Sequence, residues 1–205
     1  MKTKQLLAMV TVWVAGLGAS ALAATIYADS QTGFSSTQGA NGWSYMMWNP
    51  AAPWSPFGMT WDGTNNKWYD SAGGIWATGT HPHSTDWYVV REWTSTVTGI
   101  IAVSGELQLY PAEASGVIVK ILKGYDLGQT QWTETLAGGM NTPQAYSTSF
   151  GVATGDKVLL AIIGNGGISN DGTNWTAQIT EVPEPAMLGL MALGGLAVLQ
   201  RRRRA

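Results

Sequence analysis

Three tryptophans, Trp48, Trp54 and Trp61, stand among prolines and glycines in the stretch "WNPAAPWSPFGMTWDG". An indole held in a loop presents a flat apolar face. Such a face stacks on the C–H side of a sugar ring, and leaving it exposed without use is unfavourable. These three are the candidate carbohydrate-stacking residues. Most of the ten tryptophans beyond Trp13 are expected in the core.

Two related segments offer hard oxygens. "DGTNNKW" begins at Asp62 and "DGTNW" begins at Asp171. Asp and Asn beside a glycine suit a Ca²⁺ loop, so Asp62 and Asp171 are candidate ligands of a structural Ca²⁺. The same dipeptide is the commonest tight-turn signal, which gives a second reading of both sites. No other cofactor is indicated. His81-Pro82-His83 and Asp86 provide too few ligands for zinc in a chain with no cysteine.

Nucleophilic catalysis has little to work with. There is no cysteine and no Gly-x-Ser-x-Gly elbow. A glycosidase needs only two carboxylates, for which Glu92, Glu106, Glu113 and Glu134 are available. None has a recognisable active-site context, so no catalytic residue is assigned.

The elements that must position these groups are strands. From residue 87 onward, short runs rich in Val, Ile, Thr and aromatics alternate with Gly, Asn, Asp and Pro. This pattern predicts strands near Trp87–Trp93, Gly99–Ser104, Glu106–Tyr110, Val117–Leu122, Trp132–Leu136, Gln144–Phe150, Val158–Ile163 and Trp175–Thr180. In "GVIVKIL", Val117, Val119 and Ile121 fall on one face, and Ile118, Lys120 and Leu122 on the other. The segment 25–41 is read as loop with a short initial strand. Pro50, Pro53 and Pro56 exclude a long helix from the aromatic stretch 43–76. The fold class is all-β, an antiparallel β-sandwich.

Two terminal segments fall outside that domain. Lys2 and Lys4, the apolar run Leu6–Leu17 and Ala21-Leu22-Ala23 form a secretory signal peptide, a cleavable helix over residues 1–23. Residues 24–181 form the sandwich domain. Five bases against twelve acids leave this exported part at −7, with no basic cluster, which argues against nucleic acid. Export without cysteine means that packing, or a metal, must replace disulfides.

Residues 182–205 read "VPEPAMLGLMALGGLAVLQRRRRA". The apolar run 186–199 is short for a membrane helix, and Arg201, Arg202, Arg203 and Arg204 favour a cytoplasmic end. Pro183 and Pro185 keep the approach extended. This tail, with Val182, Pro183, Glu184 and Pro185 at its head, resembles the PEP-CTERM sorting signal of Gram-negative bacteria. The resemblance implies recognition by exosortase, a membrane protease with a Cys nucleophile, and an association with exopolysaccharide production. It implies a transient inner-membrane anchor followed by delivery to the cell surface or extracellular matrix.

A second resemblance covers residues 88–179. Arg91-Glu92-Trp93, Val103-Ser104-Gly105, Gly155-Asp156 and Asp171-Gly172-Thr173 are placed as in bacterial jelly-roll domains of carbohydrate-binding-module type. It implies a jelly-roll sandwich, structural or polysaccharide-interacting and non-catalytic. The alternatives are a jelly-roll carbohydrate-active enzyme, glycosidase or lyase, and a protein-binding surface scaffold.

Overall fold

The computed structural model describes residues 24–110 and 114–182. The signal peptide over 1–23, Glu113, and the tail residues Pro183, Glu184, Pro185 and Arg201–Arg204 lie outside the described residues. No helix among the described residues is long and apolar enough to cross a membrane.

Among the described residues, fourteen strands build two antiparallel sheets. In chain order they are β1 (Ile26–Asp29), β2 (Trp43–Trp48), β3 (Phe57–Gly58), β4 (Thr60–Asp62), β5 (Lys67–Asp70), β6 (Gly73–Trp76), β7 (Gly79–His81), β8 (Tyr88–Thr94), β9 (Gly99–Leu109), β10 (Gly116–Lys123), β11 (Thr130–Ala137), β12 (Gln144–Val152), β13 (Lys157–Gly164) and β14 (Thr173–Glu181). The larger sheet has the order β12-β9-β14-β7-β6-β5-β4, with β1 also paired to β14. The smaller sheet has the order β11-β10-β13-β8-β2-β3. The two pack face to face as the expected β-sandwich.

The regular strands after residue 87 fall where alternation places them, with one difference. Gly99–Ser104 and Glu106–Tyr110 join into the single eleven-residue β9. Gly105 is not a break between two strands. It lies opposite Tyr146 on β12 and Ala177 on β14. A Cβ there would come within 2.0 Å of the Thr176 carbonyl oxygen. The glycine lets β14 close up, and Tyr146 Oη then donates to Thr176 O at 2.8 Å. The aromatic stretch, read from sequence only as not helical, supplies the five short strands β2 to β6.

Alternation builds the core. Val117, Val119 and Ile121 of β10 face inward with Val158, Leu160 and Ile162 of β13, and with Ile101, Val103, Leu107 and Leu109 of β9. Each such fully buried aliphatic contributes about 1.5–3 kcal/mol. The smaller sheet is apolar on its other side as well. Trp48, Tyr88, Val90, Leu122, Leu159, Ala161 and Ile163 form a second cluster there, with Met46, Ile118 and Tyr125 packed against it. This explains why "VLLAII" in β13 is a continuous apolar run rather than an alternating one.

One inward position is charged. Val89, Arg91 and Trp93 share the core face of β8, so the Arg91 guanidinium is buried between the sheets. It has no acidic partner among the described residues. Instead it donates to four backbone carbonyls: Ser30 O at 3.0 Å, Ala77 O at 3.2 Å, Gly79 O at 2.8 Å, and Trp76 O. Its charge also lies 6.0 Å from the Phe34 ring centre. Burial lowers its pKa to about 10, which leaves it charged at neutral pH. Ser30 adjoins β1, and the other three carbonyls belong to the β6–β7 hairpin. A side chain of the smaller sheet thus fastens two segments of the larger one.

Replacing Arg91 strands those carbonyls in an apolar interior. By analogy with breaking a buried charge cluster, Arg91→Ala is expected to cost about 3–5 kcal/mol, or roughly 6–20 °C in melting temperature. Arg91→Lys is expected to recover only part of this, because an ammonium cannot span the same fork of acceptors. Thermal unfolding followed by near-ultraviolet circular dichroism checks both. A melting point for Arg91→Ala within about 2 °C of the parent would show that the guanidinium is not the fastener.

Candidate functional site

The β2–β3 connection shapes one end of the sandwich. Ser55 Oγ donates to Asn49 O at 2.6 Å, and Asn49 N donates back to Ser55 Oγ at 3.2 Å. Asn49 Oδ1 accepts from Ala51 N at 2.8 Å. These bonds close the loop on itself and turn Trp54 outward.

Trp54 is 64% exposed. Its ring centre lies 4.9 Å from that of Trp87 and 5.5 Å from that of Phe57, tilted by 37° and 32°. Phe57 also meets Trp87 edge-on at 5.7 Å. Trp87 and Phe57 are half-buried, so they brace Trp54 from behind and leave its outer face free. His83 borders the cluster, 6.4 Å from Trp87, and its Nε2 bonds to Ser71 Oγ at 2.9 Å. On the other side of the loop is an open cleft of about 440 Å³, lined by residues that include Trp48, Pro50, Pro53, Tyr125 and Asp126.

The three tryptophans singled out from sequence separate in the structure. Only Trp54 is in a loop. Trp48 ends β2 and is 3% exposed, packed at 5.2 Å from Tyr88 and 5.5 Å from Tyr125. Trp61 lies on β4, half-buried, edge-on to Trp68 at 5.4 Å and 6.0 Å from Phe34. The expectation of three loop indoles is therefore corrected for Trp48 and Trp61. Proline density marked loops, but short strands run between the prolines. Trp87 and Phe57 join the site instead. They lie near Trp54 because β3 pairs with β2, which pairs with β8. Nothing local in the sequence announces that proximity.

Asp62-Gly63 opens the turn between β4 and β5, whereas Asp171-Gly172 leads directly into β14. Asp62 Oδ1 accepts from Thr64 N at 3.0 Å and Asn65 N at 3.1 Å, and Oδ2 from Asn65 Nδ2 at 2.6 Å. The Asn65 side-chain bond, then its backbone bond, holds this carboxyl below its usual pKa. Asp171 is buried and accepts from Ser115 Oγ at 2.7 Å and Gly116 N at 2.9 Å. Each carboxylate is engaged by its own surroundings, and no hydrogen bond links the two. No cluster of three or more His, Asp or Glu is found among the described residues.

The candidate acids are dispersed. Glu92 is on the outer side of the smaller sheet, where it accepts from Tyr125 Oη at 2.6 Å and pairs with Lys157. Burial, then the bond to Glu92, drives the Tyr125 pKa well above its usual value. Glu106 is exposed on the outer side of the larger sheet, and Glu134 is exposed on the edge strand β11. Two packed layers separate Glu92 from Glu106. This is not the facing pair that glycoside hydrolysis requires.

Comparison with known proteins adds an address. The PEP-CTERM protein-sorting motif matches residues 181–204, which marks the chain as an exported, exosortase-processed protein. No curated protein matches the chain. Among solved structures, the CBM22-1 xylan-binding domain of Xyn10C from Paenibacillus barcinonensis is 13% identical. The match covers 80% of this chain and 99% of that one, at a TM-score of 0.41. The CBM6cm-2 module of lichenase 5A from Cellvibrio mixtus, solved with cellotriose, is 10% identical over 78% of this chain and 100% of that one, at 0.38. The K3 cleaved adhesin domain of Lys-gingipain from Porphyromonas gingivalis is 12% identical over 77% and 98%, at 0.41.

Burial separates the roles of the tryptophans. Trp48→Ala removes a buried ring and is expected to cost about 3–5 kcal/mol. Trp54→Ala removes a mostly exposed ring and is expected to stay within about 1 kcal/mol of the parent. Denaturant unfolding of residues 24–182 measures both. Equal losses would mean that Trp54 is a packing residue.

Proposed function

We propose that the exported domain is a non-catalytic polysaccharide-binding protein of the cell surface or extracellular matrix of a Gram-negative bacterium, and that Trp54 is its principal contact. One observation carries this reading. Of the ten tryptophans among the described residues, Trp54 alone is exposed, and two further aromatics brace it. An exposed indole in a rigid setting loses little entropy on binding. It has the flat apolar face that a sugar ring stacks against. The sorting motif supports the location, since it implies export with a C-terminal membrane-anchored sorting signal. An exosortase-type protease would be its first partner, the inner membrane its transient anchor, and exopolysaccharide its final one. The dispersal of Glu92, Glu106 and Glu134 supports binding without turnover.

A single stacked ring contributes on the order of 1 kcal/mol. Binding by one domain is thus expected to be weak, and retention in a matrix to come from many copies on one polymer. Affinity electrophoresis through gels containing extracellular polysaccharide of the native host tests this. The parent is expected to be retarded, Trp54→Ala to run as in a blank gel, and Trp54→Tyr to keep part of the retardation. Unchanged retardation of Trp54→Ala would sink the proposed site. Migration of the parent as in a blank gel would favour a protein scaffold, and release of reducing ends or unsaturated products would favour an enzyme.

Processing predicts a mass. Protein recovered from the host's exterior is expected to lack Arg201–Arg204 when its intact mass is measured. Recovery of the complete tail outside the cell would contradict exosortase processing.

A further inference from the structure

The larger sheet passes the chain to the sorting motif without slack. The motif begins at residue 181, and Glu181 is the last residue of β14. Glu181 N donates to Thr25 O at 2.9 Å, and Val182 N to Ile100 O at 3.2 Å. Pro183-Glu184-Pro185 follows at once in the sequence. In sequence, Glu184 is two residues beyond Val182, the last residue tied to the domain.

Apolar surface is exposed at the same place. Ile26 is 56% exposed and Ile100 is 52% exposed. Ile26 pairs with Thr180 of β14, and Ile100 carries the carbonyl that holds Val182. The two isoleucines therefore stand on the strands at either side of the exit, about 10 Å apart. Thr25, Thr98, Gly99 and Thr154 border them. Asp156 pairs with Lys123 at 2.9 Å and Lys157 with Glu92, and Glu181 and Asp29 add two further charges on β14 and β1. Single exposed isoleucines are ordinary on a protein surface. Two that flank the strand leading into a fourteen-residue apolar run and four arginines are placed where lipid would be.

We infer that the rim formed by Ile26, Ile100 and Val182 is a lipid-facing surface of the anchored precursor. While the tail is held in the bilayer, the domain rests on the membrane interface through the two isoleucines. The Trp54 end then points away. Trp48 and Tyr88 pair at one end of the smaller sheet, whereas Thr94 at the other end leads into Gly99 and the rim. The inference rests on the sorting motif and is independent of what Trp54 binds.

The chain has no cysteine, so single-site labelling is clean. The precursor from residue 24 through the tail, with the signal peptide removed, would carry Ile26→Cys, Ile100→Cys or Tyr110→Cys and be labelled with an environment-sensitive fluorophore. Each would be reconstituted into vesicles of phosphatidylethanolamine and phosphatidylglycerol containing nitroxide-labelled lipid. Tyr110 is 65% exposed and lies ten residues along the chain from Ile100, about 33 Å up the strand direction. All three positions are exposed, and melting temperatures equal to the parent would verify the fold. Lipid quenching at 26 and 100 is expected to exceed that at 110 by about twofold or more, as the separation exceeds a leaflet's hydrocarbon depth. Equal quenching at the three positions, whether strong or absent, would overturn the inference, as would stronger quenching at 110.

Discussion

A guanidinium sealed between two sheets constrains everything around it. Arg91 sits on the core face of β8 because strand alternation leaves it no other side. An unpaired charge there would be prohibitively costly. The larger sheet answers with four carbonyls, one from Ser30 and three from the β6–β7 hairpin. These are segments with few regular strand pairings of their own. β7 pairs with β14 at only two residues, Thr173 and Asn174. The arginine thus substitutes for the extended hydrogen-bond ladder that such short strands cannot form. It does the work that a disulfide does in many exported domains, in a chain that has no cysteine.

With the hairpin held, the aromatics divide by position. Tyr45 stacks on Trp68 at 5.1 Å and 15°, joining the smaller sheet to β5 of the larger. Trp68 Nε1 donates to Ser35 O at 2.8 Å, which ties down the long first loop. Tyr146 receives the Trp175 indole N–H at 3.1 Å and donates onward to Thr176 O. Each of these rings satisfies its polar edge locally, whereas the buried Trp43 Nε1 finds no hydrogen-bond partner among the described residues. Trp54 is the one tryptophan among the described residues left exposed. Its loop closes on Asn49 and Ser55, so no part of the domain is available to cover it.

The layout puts the start of the sorting motif and the exposed aromatic loop a strand's length apart. One end of the sandwich gathers both described ends of the chain, with β1 and β14 paired and the sorting motif beginning on the last strand residue. The other end holds the aromatic loop. An antiparallel sandwich produces this separation because its strands cross the whole domain, so what is tethered at one end is displayed at the other.

Export, the all-β class, the strand runs after residue 87 and the sorting tail were legible in the sequence. Each is a local pattern. Alternation within "GVIVKIL" sets its two faces, and Pro-Glu-Pro, an apolar run and four arginines stand in order at 183–204. Exposure is not a local property. Trp48, Trp54 and Trp61 have similar neighbours in sequence, yet Tyr88 and Tyr125 cover the first, and Trp68 and Phe34 pack against the third. Those partners arrive only when β2 pairs with β8, the loop after β10 folds back, and β4 pairs with β5. Gly105 reads as a strand break until β14 and Tyr146 are seen pressed against it. Arg91 reads as one residue of a strand until the carbonyls around it are known. The sequence by itself determined which residues alternate and which carry the sorting motif, because neighbours along the chain decide those. Only the tertiary structure decided which ring stays in water and which charge goes inside, because residues distant in the chain supply the cover and the hydrogen bonds.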